Sequence, residues 1–500
     1  LGPAGDPVEL PSVVAGKRFA LVGDGEGVAG AVRDRLAALG ATSVALGAGH
    51  PLVEEDTPVD GVLYLEPLAP SEFALLPDAF PVLRGALLHR PRWLIAARPV
   101  EGEASAGNAA PGAAGGQVLG DAAATRAAGL NGLFRTVARE YPDTVARVVE
   151  IEGGGRLPPG EVADLLLSEL LADGSHPVVR LGARGRYGLE LTESVLGPLG
   201  AKDGDSLGAA GAEAPAGLDR ESVVLLVGGG RGITASFARV LARTTGCRIE
   251  LAGRTPAPCG PQDPATWAAG DRADLRAVLA RDARGRSPAE IDQAAGRILA
   301  QREIRATLEE LEGFGSAVRY RCADFRDAGT VFRTVKEIYA EHGRLDGVVF
   351  AAGVLEDRLI ADKSPESFRR VFGTKAGGAR ELLDALTELP EPPGWVVLFG
   401  SISGVLGNRG QADYAAANDA LECLGGQWAA RTGRRALTVH WGPWAPDGAH
   451  SGMVTPELAR EYARRGIGLI DPQEGSLALL RELAQGDASV DSVVYTASGR

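Results

Sequence analysis

The unbroken apolar run from Val223 to Val227 ends in Gly228-Gly229-Gly230-Arg231-Gly232-Ile233-Thr234 and passes directly into the helical stretch Ala235 to Thr244. Glycines at a strand-to-helix turn let the backbone approach a pyrophosphate, and the helix N-terminus adds free N–H groups and the positive end of a dipole. A glycine cluster alone is weak, but here its setting is right. The strand-turn-helix context assigns Gly228, Gly229, Gly230, Arg231, Gly232 and Ile233 to dinucleotide binding.

Around this turn, apolar runs alternate with helical patterns. Strand candidates are Ser222 to Val227, Arg248 to Ala252, Ala317 to Cys322, Gly347 to Ala351, Trp395 to Phe399 and Ala436 to His440. Six or seven parallel strands with helices between them make a doubly wound α/β sheet. An insertion at 256–301 separates the second and third strands, with helical patterns at Arg272 to Asp282 and Pro288 to Ile304.

The same alternation runs earlier in the chain. Strands are expected at Phe19 to Val22, Val44 to Leu46, Gly61 to Tyr64, Trp93 to Ala96 and Ala146 to Ile151, and helices at Val28 to Leu39, Ala122 to Glu140 and Glu161 to Ala172. A β-like stretch, Val178 to Leu191, closes this half. Its first turn, Gly23-Asp24-Gly25-Glu26-Gly27, sets two acids where a pyrophosphate would sit, and acid beside phosphate is repulsive. This half therefore reads as a structural partner. Two Ala- and Gly-rich stretches, 101–117 and 197–217, lose periodicity and read as a loop and an interdomain linker. The expected division is a structural region at 1–200, a linker at 201–218 and a cofactor-binding region at 219–500.

Composition excludes other classes. A net charge of -13, from 65 acidic and 52 basic residues without a basic stripe, argues against nucleic acid as a partner. The four cysteines stand far apart and the six histidines never fall at helical ligand spacing, so neither a disulfide framework nor a metal site is expected. Apolar runs are too short to span a membrane. A cytoplasmic setting fits these features. A chain that begins at Leu1 rather than Met reads as a segment of a longer polypeptide, natural or trimmed.

The chemistry concentrates at the carboxyl ends of the second set of strands, where ligands of such sheets bind. The second strand closes on Gly253-Arg254-Thr255, and an arginine there accepts a 2′-phosphate, which selects NADPH over NADH. Asp324, followed by Phe325, is placed to accept a hydrogen bond from an adenine amino group, and Ala351-Ala352-Gly353 leaves room for the cofactor. Leu398-Phe399-Gly400-Ser401 ends a strand, and Tyr414 follows thirteen positions later with Asn418 one helical turn beyond. A hydride added to a ketone leaves charge on oxygen, and a phenol can protonate it. A tyrosine needs a neighbouring cation to be poised for this near neutral pH. Among only five lysines, Lys375 in Phe372-Gly373-Thr374-Lys375 is expected to open the helix before the Ser401 strand.

Together these residues resemble the ketoreductase domain of type I polyketide synthases, a branch of the short-chain dehydrogenases. The glycine turn, Ala351-Ala352-Gly353, Phe399 to Ser401, the stretch GNRGQADYAAAN from Gly407 to Asn418 and Trp441-Gly442-Pro443-Trp444 carry the likeness. It implies two Rossmann-like subdomains, the first truncated, structural and cofactor-free. It also implies Tyr414 as proton donor and Ser401 as the group polarising the carbonyl. Lys375 would lower the tyrosine pKa and hold the nicotinamide ribose, and Asn418 would order a proton-relay water.

Ordinary short-chain dehydrogenases keep Tyr-x-x-x-Lys, whereas this chain has the exchanged pattern of Asn418 and Lys375. The implied substrate is a β-ketoacyl chain tethered by phosphopantetheine to an acyl carrier protein, with neighbouring synthase domains as further partners. The insertion, the run Arg302 to Thr307 and Gly452 to Leu458 look more like iterative synthases of the polyunsaturated-fatty-acid and enediyne type. Leu355-Glu356-Asp357 is similar to the motif of the class giving D-configured alcohols, with Asp357 as the stereocontrol residue, and Leu406 is not the tryptophan of the opposite class. Thr234, Arg409 and Asp413 depart from the family pattern. The competing readings are a catalytically idle scaffold domain, which a broken tetrad or an obstructed glycine turn would mark, and a free-standing dehydrogenase or epimerase.

Overall fold

Strand β8 (Val223–Val227) is buried at every residue, as a strand covered by helices on both faces must be. The computed structural model describes residues 10–497 except 25–26, 48, 50–57, 70, 72, 101–124, 154–155, 173–175, 184, 195–216, 258–259, 261–262, 282–284, 447–453, 455 and 488. The loop expected at 101–117, nearly all of the linker at 201–218, and Gly25, Glu26, Cys259, Gly452, Met453 and Thr455 lie outside the described residues.

In chain order, the first half runs β1 (Arg18–Val22), α1 (Val28–Ala38), β2 (Thr42–Leu46), β3 (Gly61–Tyr64), α2 (Phe80–Leu88), β4 (Trp93–Val100) and α3 (Leu130–Glu140). It ends with β5 (Val145–Glu152), α4 (Pro159–Ser168), β6 (Val178–Gly182) and β7 (Gly185–Gly188). After β8 come α5 (Gly232–Thr245), β9 (Arg248–Gly253), α6 (Arg272–Arg281), α7 (Pro288–Gly313), β10 (Val318–Cys322), α8 (Ala328–His342) and β11 (Gly347–Phe350). Then follow α9 (Pro365–Phe372), α10 (Gly378–Thr387), β12 (Trp395–Ser401), α11 (Ile402–Leu406), α12 (Ala412–Thr432), β13 (Arg435–Trp441), α13 (Pro472–Gln485) and β14 (Ser492–Tyr495).

The strands form two Rossmann-like sheets, ordered β2-β1-β3-β4-β5-β6-β7 and β10-β9-β8-β11-β12-β13-β14. Among the described residues, two strands of the second sheet lie beyond β8 on one side and one strand of the first lies beyond β1, so the first sheet is one described strand shorter on that side. Val178 to Leu191 resolves into β6 and an antiparallel partner, β7. In the second sheet β9 and β11 flank β8, both parallel to it, so the order reverses at β8 and the glycine turn follows that reversal.

The chain divides into two compact units that are not continuous in sequence. One holds residues 1–193, 353–380 and 400–433; the other holds 194–352, 381–399 and 434–500. The sequence suggests a linear division at 201–218, but residues 353–380 and 400–433 pack with the first half. The cause is a close helix contact between α3 and α12. A Cβ on Gly132 would lie 2.3 Å from the Ala415 carbonyl oxygen, so only glycine permits this approach. Arg135 donates to the Gly404 carbonyl at 2.7 Å, and the Glu140 carboxylate accepts from the amides of Ile360 and Gly410 at 2.7 and 2.8 Å. Phe80 and Phe368 stack with centroids 4.1 Å apart.

Two helices differ from expectation. Within the helix expected over 122–140, Thr125 and Arg126 are helical, a turn follows, and α3 begins at Leu130 after Gly129, which adopts a left-handed φ of 91°. Helix α7 opens with a capping box between Ser287 and Glu290 and runs on to Gly313, since Thr307 and Leu311 extend its buried face beyond the expected end at Ile304. A seventh strand, β14, pairs with β13. Beside the first turn of the first half, a Cβ on Gly23 would lie 2.7 Å from Glu66 Oε2, so the Glu66 carboxylate stands against that turn. No helix among the described residues is long and apolar enough to cross a membrane.

Candidate functional site

Ser401 is the last residue of β12 and the N-cap of α11, where its hydroxyl accepts from the Ser403 amide at 3.3 Å. Helix α12 carries Tyr414 and Asn418 one turn apart, both buried. Asn418 Nδ2 donates to the Tyr414 carbonyl at 2.7 Å, while its Oδ1 is buried without a hydrogen-bond partner among the described residues. Lys375 does not open a helix. It lies inside a π-helical turn, Gly373–Gly377, that joins α9 to α10, and widened turns of this kind re-aim side chains. The ammonium sits over the Tyr414 ring, 5.5 Å from its centroid. Burial pushes its pKa down to about 8, and no carboxylate among the described residues offsets that effect. Gly353 borders the same ammonium: a Cβ there would lie 3.5 Å from Nζ. Lys375, Ser401, Tyr414 and Asn418 thus meet within one compact unit.

The family resemblance implies that Lys375 lowers the phenol pKa. In the structure the Tyr414 pKa stands above its ordinary 10.0: burial raises it, and the Asn418 and Ser401 side chains oppose burial through hydrogen bonds without overcoming it. A phenol in that state is protonated at neutral pH and available as an acid.

Two charged groups behind Tyr414 were not anticipated as site residues. Asp413 Oδ1 accepts from the Tyr414 amide at 2.9 Å, and its Oδ2 pairs with Lys363 Nζ at 2.7 Å. Lys363 also donates to the Glu356 carbonyl at 2.7 Å, joining the Leu355-Glu356-Asp357 segment to the start of α12. The signal in the sequence was Asp413 itself, an acid beside the key tyrosine in a chain with few lysines. Burial holds the Asp413 pKa above its usual value, with Lys363 opposing. Glu356 is held down to about 2, first by its hydrogen bonds with Arg370. Asp357 accepts from Gln411 Nε2 at 3.0 Å.

In the other unit, Gly228, Gly230 and Gly232 take φ of 91°, 87° and 56°, the region open to glycine. Gly228 donates to the Ala252 carbonyl at 2.8 Å, and a Cβ on it would lie 3.0 Å from the Ala351 backbone. Gly229 also donates to Ala252, Arg231 is the exposed N-cap of α5, and Ile233 stands half-buried in its first turn. Ala352, after Ala351, is half-buried. Arg254 is exposed just past β9. Glu250, inside β9, is committed to Arg321 at 2.7 Å and His342 at 2.8 Å, so no acid from this strand competes at its tip. Glu250, Glu341 and His342 cluster as metal ligands would, but Arg321 bridges both carboxylates, at 2.7 and 2.6 Å. Asp324 is engaged by Arg326 at 2.5 Å, which lowers its pKa, and Phe325 is buried. Unforeseen from the sequence, Glu303 Oε1 accepts from the Gly232 amide at 3.0 Å. Glycine-only dihedrals and a helix N-terminus fit a nicotinamide dinucleotide.

Comparison with known proteins agrees with this chemistry. Residues 222–446 match the family model of the KR domain. A polyunsaturated fatty acid synthase of Thraustochytrium sp. is 33% identical over 290 residues, which are 55% of this chain and 10% of that protein. Polyketide synthase GfsB of Streptomyces halstedii is 28% identical over 366 residues, 72% of this chain and 5% of that protein. The chain therefore spans a tenth or less of the length of these curated relatives.

Among solved structures, A-type ketoreductases from a modular polyketide synthase superpose with a TM-score of 0.68 at 22% identity, covering 97% of this chain and 89% of that one. A ketoreductase domain from the bacillaene assembly line gives 0.62 at 20% identity, covering 99% and 94%. At such identities the likeness is one of fold. Combined with the match of residues 222–446 to the KR domain model, it shows that this chain is similar to the ketoreductase domains of polyketide and polyunsaturated fatty acid synthases.

Proposed function

We propose that this domain uses NADPH to reduce a β-ketoacyl thioester, delivered on the phosphopantetheine arm of an acyl carrier protein, to the D-3-hydroxyacyl thioester. The observation that carries the reading is the meeting of Ser401 with the buried Tyr414, Lys375 and Asn418 in one unit. NADPH, when bound, supplies a hydride to the ketone carbon. Tyr414, protonated at neutral pH, gives its proton to the ketone oxygen, and the Ser401 hydroxyl donates a hydrogen bond to that oxygen. The unpartnered Oδ1 of Asn418 is a ready acceptor for a water that returns the proton to the phenol. By family resemblance, Lys375 holds the nicotinamide ribose, and its buried ammonium, without an ion-pair partner among the described residues, suits a hydroxyl partner.

Gly228 to Ile233 would receive the pyrophosphate and Arg254 the 2′-phosphate, while the commitment of Glu250 elsewhere supports NADPH over NADH. The D configuration rests on the Leu355-Glu356-Asp357 likeness and on the bond from Gln411 to Asp357. Neighbouring synthase domains are the further partners this reading implies.

The test is NADPH oxidation with a short β-ketoacyl thioester. Tyr414→Phe is expected to lose roughly 10²–10⁴-fold in turnover while still binding NADPH. Undiminished turnover in that variant overturns the mechanism, and an L product on chiral analysis overturns the stereochemical assignment.

A further inference from the structure

We infer that helix α7, between β9 and β10, is a clamp on the dinucleotide turn, with Glu303 and Thr307 as positioning residues for the backbone that receives the pyrophosphate; this rests on the NADPH reading above. Gly228, Gly230 and Gly232 occupy left-handed φ values that glycine enters freely, and that freedom must be restrained if the turn is to keep one shape. The start of the turn is held by β9, through the Gly228 amide on the Ala252 carbonyl at 2.8 Å. Its far end is held by α7.

Residues 303 and 307 lie four apart on α7 and share one face. The Gly232 amide donates to Glu303 Oε1 at 3.0 Å, and Thr307 Oγ1 donates to the Gly230 carbonyl at 3.1 Å. Between them stands Ile304, whose Cγ1 would be 3.3 Å from a Cβ on Gly230. The same helix ties down the segment after Arg254. Gln301 Nε2 donates to the Pro256 carbonyl at 3.2 Å, Arg302 to Ala269 at 2.7 Å and Arg305 to Gly260 at 2.9 Å. None of these bonds is needed to complete the sheet, because β10 pairs directly with β9. Their effect falls on the turn. Fixing Gly232 also fixes the direction of the next amides of α5, Ile233 and Thr234, which as first-turn residues lack helical acceptors.

A carboxylate at this place brings a second negative charge beside an anion, so position and charge act in opposite senses. Glu303→Gln separates them, because the amide keeps an acceptor oxygen without the charge. In the cofactor-free full chain, Glu303→Ala is expected to speed amide exchange at Gly232 to Thr234 by about tenfold, for one lost hydrogen bond, while exchange in β8 is unchanged. Thr307→Val should act in the same sense at Gly230 to Gly232, and Glu303→Gln should exchange like the parent. In fluorescence titration, Glu303→Ala should weaken NADPH binding about tenfold and Glu303→Gln less than about threefold. The clamp is overturned if Glu303→Ala changes neither exchange nor binding, or if Ala and Gln both tighten NADPH binding, which would make Glu303 a competitor of the pyrophosphate. If the exchange results hold and the parent does not bind NADPH, the clamp stands and the cofactor reading falls.

Discussion

Lys363 and Asp413 form an ion pair of 2.7 Å in which the side chains are 0% and 2% exposed, and the same carboxylate receives the backbone amide of Tyr414. A pair this deep does not owe its worth to Coulomb attraction alone, since both ions have lost their hydration. Its consequence is positional: it fixes the first turn of the helix that carries Tyr414 and Asn418.

Removing one partner leaves the other charge buried and uncompensated, which costs about 3–5 kcal/mol. Lys363→Met is therefore expected to lose stability of that order. Lys363→Met combined with Asp413→Asn should recover most of it, because the amide oxygen still accepts the Tyr414 N–H. Urea unfolding of the two single variants, the double variant and the parent checks this, and strictly additive losses would show that the pair is not coupled.

Lys375 carries a different signature. Its folded pKa of about 8 lies below its ordinary 10.5. Below about pH 8 the amine is charged in both folded and unfolded chains; between the two values the unfolded chain alone keeps the proton, so stability rises with pH across that window. Lys375→Met removes the burial cost. In the cofactor-free protein it should be more stable than the parent near pH 7, by about 3 kcal/mol at most, with the difference closing toward pH 10.5. A difference that does not vary with pH would show that the ammonium is not destabilised by burial.

Arg254→Ala should weaken NADPH binding by about tenfold or more, the worth of a charge-assisted hydrogen bond, and leave NADH binding nearly unchanged. Titration with both cofactors decides it. Equal losses for the two would place the arginine away from the 2′-phosphate.

Gly132→Ala tests the contact between α3 and α12. The added Cβ would meet the Ala415 carbonyl oxygen at 2.3 Å, and backbone cannot yield as a side-chain tip can. A loss of about 1–3 kcal/mol or more is expected, with reduced turnover because the displaced helix carries Tyr414. An unaltered melting temperature would contradict the packing.

The strands of the second sheet were legible because strands buried on both faces are written as apolar runs, as in Val223 to Val227 and Trp395 to Phe399. β14 was harder to locate: it is a half-buried edge strand of four residues. The true start of α3 depended on the left-handed Gly129, which helical periodicity passes over. Lys375 was found as a residue but not as a conformation, since a π-helical turn has no distinct pattern in the chain.

By itself, the amino-acid order determined the α/β class and the glycine turn after β8, and singled out Tyr414, Asn418, Ser401 and Lys375 as candidates, because local spacing and the chemistry of individual side chains are written in it. Tertiary structure alone decided that 353–380 and 400–433 pack with the first half, that Lys363 is buried against Asp413, and that Glu303 reaches the Gly232 amide across 71 positions. It also shifted the pKa values of two site residues. Desolvation and hydrogen bonding depend on which groups surround an atom in space, so the lowered pKa of Lys375 and the raised pKa of Tyr414 are properties of the folded interior.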